Sequence, residues 1–157
     1  MLEDLLQPTL SSGQPKKPMY SVTAHMLVAF FGGAFSLLLF SMLSLHRIGR
    51  LKQHWLYYLL AFCACTAIYV VLSEMMATGQ WPPWLMLGSS EKSSLRVVTR
   101  LLAVLLFGII YAWQRNFFSI SALLGETPKP WIPALVSLLI GGIVQVMIIT
   151  SVLVYYA

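Results

Sequence analysis

The sequence predicts an all-α, polytopic integral membrane protein folded as a bundle of four transmembrane helices, and three observations predict it. Of its 157 residues, 59% are hydrophobic and only 10% are charged, against roughly a quarter charged in an ordinary soluble domain. The apolar residues arrive in four long blocks, each close to the ~20 residues that a helix needs to cross ~30 Å of hydrocarbon. The basic residues stand at the block edges, where anionic lipid headgroups lie. A net charge of +5 with no basic stripe on a soluble segment excludes nucleic acid as a partner. The partners expected are membrane lipids and other membrane helices, either copies of the chain or a larger complex.

Residues 1–22 read as a flexible polar tail, and residues 23–157 as the transmembrane domain. Pro8, Ser11, Ser12, Gly13, Pro15 and Pro18 interrupt regular structure, with a short amphipathic turn at Leu2, Leu5 and Leu6. Glu3 and Asp4, with no apolar run after them, do not fit a cleavable signal peptide.

Span one, residues 23–45, would reach ~34 Å as a straight helix. Ala29 with Gly33, and Gly32 with Ser36, form overlapping small-xxx-small pairs that admit a neighbouring helix closely. Leu38 and Leu139 are expected to face lipid. Residues 46–54 make a compact basic turn carrying Arg47, Arg50 and Lys52, so spans one and two are antiparallel neighbours. Span two, residues 55–77, opens on an aromatic belt of Trp55, Tyr57 and Tyr58 and closes with Glu74. Cys63 and Cys65 lie two apart on this helix, point away from each other and cannot pair.

The long second loop places Trp81 and Trp84 at headgroup depth. Span three, residues 95–114, has Ser93 or Ser94 as its N-cap, and Arg96 and Arg115 as snorkelling ends. Residues 116–130 read as a surface-lying continuation stopped by Gly125, Thr127, Pro128 and Pro130. Span four, residues 132–156, starts beside the interfacial anchor Trp131, pairs Ser137 with Gly141 as small residues, and holds Gln145 near mid-membrane.

Four crossings put both termini on one side. Basic residues then number five on each side, so the rule that Lys and Arg stay cytoplasmic gives a tie. The dense cluster in loop one leans loops one and three towards the cytoplasm.

Glu74 is the one acid inside an apolar block, and a hairpin of spans two and three would bring it near Arg100 or Arg96. An ion pair, separate snorkelling of all three, and an ion-handling site are the alternatives. His25 stands at the opposite end of span one from His46 and His54, which leaves no histidine pair at matching depth for haem. No cofactor, no metal motif and no catalytic residue set is expected: no Ser, His and acid share a depth, and no H-E-x-x-H occurs.

Phe30-Phe31-Gly32-Gly33 followed by Arg47-Ile48-Gly49-Arg50-Leu51 resembles a pattern in small bacterial inner-membrane proteins with four spans. That resemblance implies a bacterial inner membrane and carries no activity. The run Arg96 to Leu102 is similar to the third-helix motif of microbial rhodopsins, but Thr99 and Arg100 replace its carboxylate and tryptophan, and no span holds a retinal-bearing lysine. The function expected is a non-catalytic membrane subunit that works by helix packing. A channel or small transporter is the rival, and it would require polar residues from several spans at one depth.

Overall fold

The computed structural model describes residues 18–88, 90–123 and 129–156, with side chains for all of these but 120–123. Four helices make the bundle: α1 (Val22–Arg47), α2 (Leu51–Ala77), α3 (Glu91–Leu123) and α4 (Trp131–Tyr156), with a short 3-10 turn at Pro83–Leu85. Each is long and apolar enough to cross a membrane, α3 through Ser119. Among the described residues there is no strand.

The first helix is folded in half. Ser21 caps its start, its hydroxyl accepting from the Ala24 N–H at 3.2 Å. At Gly33 the backbone turns to φ 76°, ψ −169°, a region that essentially only glycine occupies. Residues 22–32 and 34–47 then lie antiparallel. His25 Nε2 is 3.1 Å from the Ser44 hydroxyl, nineteen residues on, where a straight helix would hold them ~28 Å apart. Tyr20 stacks on Phe40 with ring centres 5.1 Å apart, and Arg47 Nε donates to the Pro18 carbonyl at 3.1 Å. Ala24 and Val28 pack on Phe40 between the halves.

At ~1.5 Å per residue the halves measure ~16 and ~21 Å, each short of the ~30 Å core. The straight rod expected over residues 23–45 is corrected to a hairpin whose two ends meet. Pro18 to Ser21 is likewise not a loose tail, since Met19 is fully buried. The remaining tail and the stop at Gly125, Thr127 and Pro128 lie outside the described residues.

Arg47 gives way to α2 through a tight cap at Gly49, φ 77°. The Gly49 N–H donates to His46 O at 3.0 Å and the Arg50 N–H to Leu45 O at 3.1 Å, the paired bonds of a Schellman ending. Ser41 and Tyr58 hydroxyls then meet at 2.7 Å. α3 returns antiparallel: Leu95 packs with Leu72 at one end, and Gln114 donates to the Tyr58 hydroxyl at 2.5 Å towards the other. α4 runs in the direction of α2, with Trp131 near Ser21 and the Tyr156 hydroxyl donating to Glu74 at 2.6 Å.

The bundle therefore has a loop-one end, holding Pro18, Arg47 and the start of α4, and a loop-two end, holding the start of α3 and the close of α4. α1 is the central element, packed on all three others, while α4 rests on α1 and α2. α2 and α3 touch over a short stretch and are separated over part of their length by an apolar cleft of about 460 Å³ beside Leu38, Ala61 and Ile110.

One local expectation changes. The N-cap of α3 is Ser90, whose hydroxyl accepts from the Ser93 N–H at 3.3 Å while Ser93 Oγ accepts from the Ser90 N–H at 3.0 Å. Helix α3 runs on unbroken to Leu123, in line with the continuation expected after residue 114.

Candidate functional site

The fold of α1 places an irregular backbone inside the bundle, and polar groups from the other helices gather around it. An atom added as Cβ at Gly33 would lie 2.9 Å from the Gln145 side-chain oxygen and 3.5 Å from the Tyr69 hydroxyl. Gln145 comes from α4 and Tyr69 from α2. From α3, Arg96, Thr99 and Arg100 line the same cavity of about 240 Å³, with Gly32, Gly33 and Gln145 opposite them.

These groups share a depth. Tyr69 stands eight residues before the end of α2, Arg100 nine after the start of α3 and Gln145 eleven before the end of α4, or roughly 12 to 16 Å from the loop-two end. Tyr69 is fully buried. Its hydroxyl has the Ala34 backbone and the Thr99 hydroxyl as polar neighbours yet closes no hydrogen bond. Thr99 donates back to its own helix, to Leu95 O at 2.9 Å, leaving its oxygen lone pairs as acceptors. Arg100 holds its guanidinium 5.6 Å above the Phe30 ring.

Close packing beneath the tip explains how it is held. Ser36 donates its hydroxyl to Gly32 O at 2.8 Å, closing the carbonyl exposed by the break. A side chain at Gly141 would strike the backbone and hydroxyl of Ser36, and one at Gly32 would strike Leu138 and Ser36. Ala29, Ser36 and Ser137 are each 1% exposed or less. The small residues singled out in the sequence thus sit where α1 meets itself and α4.

The other site residues fall differently. Glu74 does not pair with Arg100 or Arg96: among the described residues its carboxylate accepts from Tyr156 instead. The two helices do meet at this end, Leu72 against Leu95, but the carboxylate turns to the last turn of α4 instead. Trp55, Trp84 and Trp131 are exposed, as is Arg115, but Trp81 is 7% exposed and packs against Leu72 and Leu95. Leu38, expected on the lipid face, is 1% exposed because the hairpin turns it inwards.

His25 is also displaced from its expected place. The fold brings it back to the loop-one end, where Nδ1 engages Ser21 O at 3.0 Å and Nε2 engages Ser44 at 3.1 Å. Its supposed separation from His46 and His54 is therefore removed, and both of its ring nitrogens are occupied by serine oxygens. Among the described residues no three His, Cys, Asp or Glu side chains converge.

Sequence reasoning passed over Tyr69, Ser41 and Gln114, saw Thr99 only as a departure from a motif, and set Tyr58 in the interfacial belt, where it is instead 3% exposed and bonded to Ser41 and Gln114. Each is a lone polar residue on an apolar helix, with no spacing to connect it to the others. No family profile, curated protein or solved structure matches the chain.

Proposed function

We propose that the chain is a small channel or transporter, with its solute site at the tip of the folded α1. One observation carries this reading: Gly33 of a broken helix meets Tyr69, Arg100 and Gln145 from three other helices at one depth. Irregular backbone at membrane depth is tolerated where protein buries it or where it lines a watered cavity, and broken helices frame the solute sites of many transporters. The setting we propose is a bacterial inner membrane with loops one and three in the cytoplasm. Membrane lipids are its immediate partners.

Reconstitution into liposomes tests the function. Small inorganic ions and organic acids should move faster across liposomes holding the protein than across empty ones, and Gln145→Leu should cut that rate at least tenfold. Liposomes no leakier than empty ones to every solute tried would sink the reading.

A non-catalytic subunit that packs against another membrane protein is the second reading. The exposure of α4 favours it, since Leu139, Ile143, Val146 and Met147 are all more than half exposed. Recovery of a second membrane protein at fixed stoichiometry with the detergent-purified chain would support it.

A further inference from the structure

We propose that the cavity at the tip of α1 binds a phosphate-type oxyanion. This rests on the same site as the transport reading, but names what the site holds.

Three features carry positive or donor character, one in the cavity wall and two beside it at Gly33. The wall includes Arg96 and Arg100, and among the described residues neither is paired with a carboxylate, the nearby acid Glu74 being bonded to Tyr156. An uncompensated guanidinium at membrane depth is costly, and a bound anion removes that cost. Second, residues 34–47 begin their helix at the tip. The leading N–H groups of a helix lack partners within it and carry a partial positive charge, the combination that holds phosphates elsewhere.

Third, the Tyr69 hydroxyl is fully buried, has no hydrogen-bond partner and stands beside Gly33. An unsatisfied buried hydroxyl costs about 1–3 kcal/mol, and this one, beside Gly33 but outside the cavity wall, is a donor that an oxyanion seated close against Gly33 would use. Two guanidinium forks suit an anion with several oxygens better than a spherical halide. A cavity of about 240 Å³ also has room for such a group, a water occupying about 30 Å³. A cation finds no carboxylate there.

Free phosphate and the headgroup of an anionic phospholipid share this chemistry, and a titration separates them. The full chain, purified in an uncharged detergent and stripped of lipid, is melted with sodium phosphate, with phosphatidylglycerol, with phosphatidylcholine, and with sodium chloride at matched ionic strength. Phosphate or phosphatidylglycerol should raise Tm while chloride and phosphatidylcholine do not. A rise with phosphate identifies a free anion, and a rise with phosphatidylglycerol alone identifies a lipid headgroup.

Arg100→Gln should weaken the apparent affinity at least tenfold, Arg100→Lys less, and Tyr69→Phe severalfold, with each variant still eluting as a single species. Because both arginines are solvent- or lipid-accessible, their replacement leaves the core intact. The proposal is overturned if chloride stabilises as well as phosphate does, or if the double change Arg96→Gln with Arg100→Gln leaves the phosphate and phosphatidylglycerol responses unchanged. The flux assay keeps the two readings apart. Binding without flux removes transport and leaves the oxyanion site, whereas flux indifferent to both arginines removes the oxyanion site and leaves transport.

Discussion

At the residue scale, glycine decides where this bundle can close. Gly33 adopts a conformation that costs other residues about 1–3 kcal/mol, and its missing side chain leaves space for Gln145. Gly33→Ala should therefore lower the detergent Tm clearly. Gly141→Ala should do so too, by about 1–3 kcal/mol of overpacking against Ser36. Leu139→Ala, at a position 66% exposed, should leave Tm almost unchanged. Equal shifts for all three would mean that the seam contributes nothing. Leu38 is not a neutral control, because it is buried: its truncation should fall in the range of about 2–5 kcal/mol for core leucines, towards the lower end where lipid replaces water as the unfolded environment. The acid at the loop-two end gives a second prediction. A double-mutant cycle should find coupling between Glu74 and Tyr156, which share a 2.6 Å hydrogen bond, and none between Glu74 and Arg100. Coupling in the second cycle and not the first would restore the ion pair.

At the scale of elements, the hairpin of α1 changes how often the chain crosses. If residues 22–47 enter and return at one end, then α2, α3 and α4 make three crossings, and the N-terminal segment and C-terminus lie on opposite sides. Single cysteines should test this after Cys63 and Cys65 are replaced by alanine. Lys17→Cys and Gly49→Cys should react with an impermeant reagent from one side, and Gly88→Cys and Ala157→Cys from the other. A four-crossing chain would instead pair Lys17 with Gly88. The same fold accounts for the central place of α1: a folded helix offers two faces, and its second half occupies ground between α2 and α3 that a straight rod would leave to those two helices.

For the whole molecule, three crossings would also break the charge tie. Lys16, Lys17, Arg47, Arg50, Lys52, Arg115 and Lys129 then share the loop-one side, and only Lys92, Arg96 and Arg100 remain opposite. Seven basic residues against three would favour a cytoplasmic loop-one side under the positive-inside rule, the orientation we propose. Replacing Lys16, Lys17, Lys52 and Arg115 by glutamine would leave three on each side. The expected result is a mixed population, read as Gly88→Cys labelling from both sides; an undisturbed single orientation would show that charge does not set the topology.

The sequence by itself determined the class, the four helical blocks and the residues small enough to let helices touch, because hydropathy and residue size are local properties. Gly33 was visible as a small residue, yet nothing in its neighbours said that the helix would reverse there. A Gly-Gly pair in an apolar run is as compatible with a continuous helix as with a break, and the decision lies in what the two halves bury against each other: Tyr20 and His25 on Phe40, and His25 on Ser44. Only the tertiary structure decided the partners of the lone polar residues as well. Tyr69, Thr99, Arg100 and Gln145 are spread over three helices, and their meeting depends on the depth and rotation of each helix around the folded α1. Glu74 found Tyr156, the last described residue of α4, because the close of that helix lies against the close of α2, a neighbour relation that pairwise spacing along a chain does not encode.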